Sequence, residues 1–239
     1  MPLTLSIAEL TETFPDFRAA VILATDLNIP AERPEALDPE IARREAACRE
    51  RHEGAALSEI PGVAAWREAY KKFGIKKTSY RSSVERIVKN VLADRPLARI
   101  NGFVDAYNAV SLEHVLPVGA DDVACIDDTV AFRFSRKDDT FYPLGKEDAE
   151  NDPPKPGEVV LASGTAVLCR RWNWYQDARS PITENTRAAL VTIQSNGFGD
   201  PHAAAEDLAD LLKHTCGATS TIEIVSAERP EAVFEPVNA

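Results

Sequence analysis

Cysteine and histidine are scarce in this chain, four of each in 239 residues. The cysteines, Cys48, Cys125, Cys169 and Cys216, are widely spaced and contain no C-x-x-C pair. They read as reduced, mostly buried thiols rather than a disulfide framework. The histidines, His52, His114, His202 and His214, lack zinc-ligand spacing, so no metal and no other cofactor is expected. No apolar run approaches a membrane span, and Met1-Pro2-Leu3-Thr4-Leu5 lacks the basic and apolar regions of a secretory signal. The expectation is a cytoplasmic protein with no membrane partner. G-x-x-x-x-G-K-[ST] is absent, and Asn196-Gly197-Phe198-Gly199 offers only a lone G-x-G, which argues against a nucleotide-phosphate loop. G-x-S-x-G is absent too, which removes a hydrolase elbow but not a triad assembled in space.

Aromatics are few, yet two of the three tryptophans fall in Arg170-Arg171-Trp172-Asn173-Trp174, after the strand-like Thr165 to Cys169. Guanidinium beside indole suits a site that stacks a planar group or holds a carboxylate or phosphate. A strand ending in a core tryptophan with surface arginines reads the same way. Upstream, Asn101, Asp105, Asn108 and Ser111 recur every three or four residues, which on a helix brings them to one side. That side fits a polar pocket or a solvated face.

The net charge of −11 is unevenly spread. From Arg67 to Arg99 ten cations (Arg67, Lys71, Lys72, Lys76, Lys77, Arg81, Arg86, Lys89, Arg95, Arg99) meet three acids (Glu68, Glu85, Asp94), about +7 locally against about −18 elsewhere. A basic stripe on an acidic body is a footprint for phosphate, although solvated helix faces leave the same pattern.

The architecture expected is α+β, because strands and helices do not alternate regularly. Strands are predicted over 3–7, 17–24, 129–134, 141–144, 159–162, 166–170, 188–194 and 219–225. Helices are predicted from Asp38-Pro39 to about Arg51, over 63–73, behind the capping pattern Ser82-Ser83-Val84-Glu85, over 101–113 and over 203–214. Val84, Ile87, Val88, Val91 and Leu92 give the third of these the clearest apolar periodicity in the chain. The expected organisation is one domain over 1–228, helix-rich over 36–116 and strand-rich over 123–225. Residues 229–239 read as a loose tail.

Several ordered segments together carry a family resemblance. They are Trp66-Arg67-Glu68-Ala69-Tyr70 with Phe73-Gly74, Tyr80 to Glu85, Ile100-Asn101 through Leu112, Leu116-Pro117-Val118-Gly119, Gly157 to Val160, Cys169 to Gln176, and Ile182 to Arg187. The chain resembles the B3/B4 domain, the editing module in the beta subunit of bacterial phenylalanyl-tRNA synthetase, and more closely the free-standing B3/B4-domain proteins. The resemblance spans roughly residues 10 to 225. It implies an α+β body with a central mixed or antiparallel sheet flanked by helices. It also implies a trans-acting hydrolase that clears a mischarged amino acid from tRNA, with the aminoacylated tRNA 3′ end as partner and no DNA. A non-catalytic module that binds tRNA or an amino acid is the alternative.

The synthetase motif V-D-x-x-N-x-x-x-L-E matches Val104, Asp105, Asn108, Leu112 and Glu113. Its P-L-H-A-F-D aligns with Pro117 to Asp122, which places Gly119 at the editing histidine; Pro181 stands at the editing glutamate. Tyrosine discrimination therefore does not carry over. The resemblance implies a place in the pocket for Asn108, and the catalytic roles are expected of Asn108, Asp105 and Arg171. Substrate binding falls to Asn101, Ser111, Trp172, Asn173 and Thr183. For tRNA contact the expected residues are Lys71, Lys72, Lys76, Lys77, Arg81 and Arg170. In this scheme Asp105 orients a side chain, a water or the ligand's ammonium group, and Arg170 or Arg171 holds the terminal phosphate or polarises the ester.

Overall fold

The computed structural model describes residues 2–75, 80–146, 148 and 150–236. Lys76 and Lys77 of the basic stripe lie outside the described residues. Among the described residues ten strands form two sheets. The first sheet contains β1 (Leu3–Ser6), β4 (Thr129–Phe134), β5 (Val159–Ser163), β6 (Ala166–Arg170), β7 (Tyr175–Gln176) and β10 (Glu231–Phe234), in the order β10-β1-β4-β5-β6-β7. β1 runs parallel to β4, and the other pairs are antiparallel. The second sheet is antiparallel, in the order β3-β8-β2-β9, from β3 (Val118–Asp122), β8 (Ala189–Asn196), β2 (Phe17–Thr25) and β9 (Thr219–Val225).

Five α-helices among the described residues complete the α+β body: α1 (Asp38–Arg51), α2 (Pro61–Lys72), α3 (Ser83–Leu92), α4 (Gly102–His114) and α5 (Pro201–Cys216). Local chemistry starts three of them. Asn101 Oδ1 accepts the Val104 amide at 2.8 Å, Ser82 Oγ accepts the Glu85 amide at 3.3 Å, and Asp200 caps α5 through the His202 amide at 2.9 Å. Gly217, left-handed at φ +67°, ends α5. No described helix is long and apolar enough to cross a membrane.

α4 is interior, with Phe103, Ala106, Ala109, Val110 and Leu112 fully buried. α1, α3 and α5 pack on it, and α5 also covers β2 and β8. Close approach of α2 to the end of α4 depends on Gly62. A Cβ there would stand 2.5 Å from the Val115 carbonyl oxygen and 2.8 Å from its Cγ1. Gly62→Ala should therefore lower stability by about 1–3 kcal/mol, read as a lower denaturant midpoint with unchanged slope.

Three expectations need correction. Residues 231–234, read as part of a loose tail, form β10 and pair with β1, Leu3 opposite Phe234. Residues 141–144 form no strand; they make one isolated bridge, Pro143 to Asp177. The segment after Pro117, read as a helix stop, is β3, paired with β8 from Val118 opposite Ile193 to Asp122 opposite Ala189.

Candidate functional site

The chain leaves β6 at Arg170 and turns through two successive non-glycine residues in the left-handed region, Arg171 at φ +45° and Trp172 at φ +66°. That conformation is strained for side chains with a Cβ and needs surrounding structure to hold it. Trp172 supplies much of the hold. Its fully buried ring stands edge-on to Phe14 at 4.7 Å, Phe17 at 4.8 Å and Trp66 at 5.2 Å. Arg171 is stacked between Tyr80, 3.9 Å from its ring centroid, and Trp174, at 4.3 Å. Its Nη2 lies 3.3 Å from Glu158 Oε1.

This turn delivers Asn173, Trp174, Tyr175 and Gln176 to the wall of a pocket of about 250 Å³. Tyr107 and Asn108 enter it from α4, Gly119 to Asp121 from β3, Thr192 and Gln194 from β8, Cys169 from β6, and Ser83 and Arg86 from the first turn of α3. Leu144, Leu161, Leu168 and Val118 give it an apolar part. One polar wall is locked by a relay. Tyr70 Oη donates to Asn173 Oδ1 at 2.9 Å, Asn173 Nδ2 to Gln194 Oε1 at 3.0 Å, and Gln194 Nε2 to Thr192 Oγ1 at 3.1 Å. By contrast, the half-buried Asn108 amide has no hydrogen-bond partner among the described residues. With the Tyr107 hydroxyl, it is a polar group of α4 that lines the pocket without a protein partner among the described residues.

Asp121 is buried, and its Oδ1 accepts Ser180 Oγ at 2.6 Å. Gln176 Nε2 donates to the Ala120 carbonyl at 2.7 Å and reaches Asp121 Oδ1 at 3.5 Å. Burial pushes the Asp121 carboxyl up to about 6, against the lowering effect of those two donors. Burial, and then the nearby Asp121 charge, pushes the Cys169 thiol up to about 12, so it is a neutral lining group and not a thiolate nucleophile. Among the described residues no group of three metal-binding side chains converges.

The residues expected at the site disperse. Asn108 and Asn173 line the pocket, while Trp172 is core. Asp105, fully buried, accepts Arg33 Nε at 2.7 Å and the Ile100 amide at 3.0 Å, so its charge is spent tying the 26–37 segment to α4. Asn101 caps α4 and donates to the Ile182 carbonyl at 3.2 Å. Ser111 Oγ donates to the Leu116 carbonyl at 2.7 Å. Thr183 closes a turn with Thr186 and Asn185. None of these four lines the pocket.

Arg170 and Arg171 are corrected in the same way. Arg170 is 2% exposed and pairs with Glu158 at 3.0 Å and Asp152 at 2.7 Å, which leaves it unavailable to a phosphate. Arg171 stands behind the wall and fixes Trp174, rather than facing the cavity.

Much of the described basic stripe is also paired. Arg67 and Arg81 share Glu85, each at 2.7 Å, and Lys71 meets Glu68 at 2.5 Å. Lys72 lies 5.9 Å over the Phe14 ring. Arg67, Lys71 and Arg81 border a second cleft, of about 230 Å³, together with Trp66, Tyr70 and Tyr80. Exposed Arg86 is the stripe residue at the first pocket, where it donates to the Trp174 carbonyl at 2.9 Å. In the sequence Arg86 is one cation of ten, and no motif marks Asp121, Gln176 or Gln194.

Among curated proteins none matches the chain. An N-terminal fragment of the phenylalanyl-tRNA synthetase beta-subunit from Pyrococcus horikoshii is similar in structure, at 11% identity and a TM-score of 0.44, over 90% of this chain. The match covers 50% of that fragment, so this chain spans about half its length. The family model described as B3/4 domain matches residues 65–206, a stretch that contains every residue lining the pocket. The chain belongs to the B3/4 domain family.

Proposed function

We propose that this chain is a trans-acting aminoacyl-tRNA deacylase and that the pocket between α4, β3, β8 and the 173–176 segment seats the aminoacyl end. One observation carries the reading. The unpaired Asn108 amide faces the same cavity as the locked Asn173–Gln194–Thr192 relay, with Arg86 beside them. An aminoacyl ester is already activated, so positioning a water and stabilising the developing oxyanion are enough to accelerate its hydrolysis. In this scheme the Asn108 amide donates to the carbonyl oxygen, and Arg86 meets the phosphate of the terminal nucleotide. Water oxygen bonds to the ester carbon, the bond to the ribose oxygen breaks, and the water's proton ends on that oxygen.

The test is deacylation of a panel of tRNAs, each charged with a different labelled amino acid, by the purified protein. Hydrolysis of one or a few species supports the reading. A second reading, a binding module without hydrolysis, is favoured by Gly119 in the pocket at the position of the editing histidine, and by the lack of any histidine among the lining residues. Retained tRNA binding with no hydrolysis across the panel would establish it. Because Arg67, Arg81 and Lys71 already have acidic partners, the fall in tRNA affinity with added salt should be shallower than ten free cations would give. A slope equivalent to all ten would show that these pairs open on binding.

A further inference from the structure

Asp121 presents an unanswered charge to the pocket. The residue is 4% exposed, it lines the cavity, and no ion pair to it exists among the described residues. Its hydrogen-bond donors, Ser180 and Gln176, are neutral and meet Oδ1, which leaves Oδ2 without a protein donor among the described residues. The neighbouring carboxylate, Asp177, does not relieve it; Asp177 is satisfied separately by Arg179 at 2.7 Å. Arg86, the cation on the pocket lining, is engaged with the Trp174 carbonyl and makes no ion pair with Asp121. A buried carboxylate in a cavity wall, with one oxygen lacking a protein donor, is stabilised by a cationic donor that arrives with the ligand.

We propose that Asp121 is the specificity-determining residue of the pocket and receives a primary ammonium group of the substrate through Oδ2. This rests on the reading of the pocket as an aminoacyl site. It narrows the substrate to aminoacyl groups that carry at least one free primary amine. The ammonium is either the α-amine or a basic side chain.

Ionisation gives the contact a pH signature. The titratable groups near Asp121 are Asp177, Tyr107, Cys169 and Cys125, and its donors are Ser180 and Gln176. Burial, and then Asp122 and Asp121, raises the Cys125 thiol. Burial holds the Tyr107 phenol above its ordinary range and Cys169 near 12, so neither changes charge between pH 5 and 7. The α-ammonium, ordinarily near pKa 8, also stays charged there. Ligand affinity should therefore fall as pH drops through about 6, where Asp121 protonates.

The experiment uses three stable amides in place of the ester: 3′-(L-alanylamino)-3′-deoxyadenosine, its N-acetyl form, and the Nα-acetyl-L-lysyl counterpart. Each is titrated calorimetrically against the wild-type chain and Asp121→Asn. The expected result is that acetylating the alanyl amine weakens wild-type binding by about tenfold or more, and that Asp121→Asn removes the difference. Recovery of affinity by the Nα-acetyl-lysyl compound assigns the ammonium to the side chain; continued weakness assigns it to the α-amine. Equal wild-type affinity for all three overturns the role of Asp121 while leaving the pocket as the aminoacyl site. Failure of all three to bind overturns both.

Discussion

Trp172→Ala should lower the stability of the folded chain by about 3–5 kcal/mol, the largest loss expected of any single truncation here. The indole is fully buried and stands edge-on to Phe14, Phe17 and Trp66, so its removal leaves a cavity walled by rigid rings that cannot close over it. Indole Nε1 has no hydrogen-bond partner among the described residues, so the loss is one of packing alone. Alanine would also remain in the left-handed region at φ +66°, with less packing to hold it there. Chemical denaturation measures this directly. A loss under about 1 kcal/mol would mean that the aromatic cluster does not hold the turn. The same variant should loosen the pocket, because Trp172 anchors the turn that delivers Asn173 to Gln176.

The second large effect concerns rate rather than stability. Asn108→Ala should slow deacylation by about 10²–10³-fold, the range for removing one oxyanion donor. The melting temperature should stay within about a degree or two of wild type, since the side chain has no protein hydrogen bond to lose. Asp105→Asn behaves in the opposite sense. It removes the buried counter-charge of the Arg33 guanidinium and leaves only the longer ionic contact to Asp38 at 3.5 Å, so the deficit falls on stability. Unchanged turnover in Asn108→Ala, or a fall in Asp105→Asn with stability intact, would move the site from the pocket to the other end of α4.

The elements with strong local patterning were legible in the sequence. α3 announced itself through Val84, Ile87, Val88, Val91 and Leu92 behind the Ser82 cap, and α1 through Pro39 at its start. The β5–β6 hairpin followed from its apolar runs around Ser163-Gly164-Thr165. Strands that exist because of their neighbours were not legible. β3 reads Val-Gly-Ala-Asp-Asp, a poor strand former, and is made by eight-residue β8 lying beside it. β10 follows a proline and forms by pairing with β1.

The site was legible in part for the same reason. Spacing along α4 grouped Asn101, Asp105, Asn108 and Ser111, but a helix packed on several sides gives each residue a different neighbour. Arg33, the Ile182 carbonyl and the Leu116 carbonyl take three of the four, which leaves Asn108. The arginine pair looked free because Glu158, which neutralises Arg170, lies twelve residues earlier and meets it only across the β5–β6 pairing. Nothing in the sequence distinguishes Asp121 from Asp122. Only the register that sets Asp121 opposite Leu190 turns one of them into a buried lining group.

The placement of the aminoacyl end is tested most directly by hydrogen exchange with and without a saturating, non-hydrolysable 3′-aminoacylamino-adenosine. Slowed exchange is expected in 118–122 and 173–176, and in the middle of α4 around Asn108, where the pocket is built. Protection confined to 64–71 and 80–82, the walls of the second cleft, would contradict the assignment and place the ligand beside Arg67 and Arg81 instead.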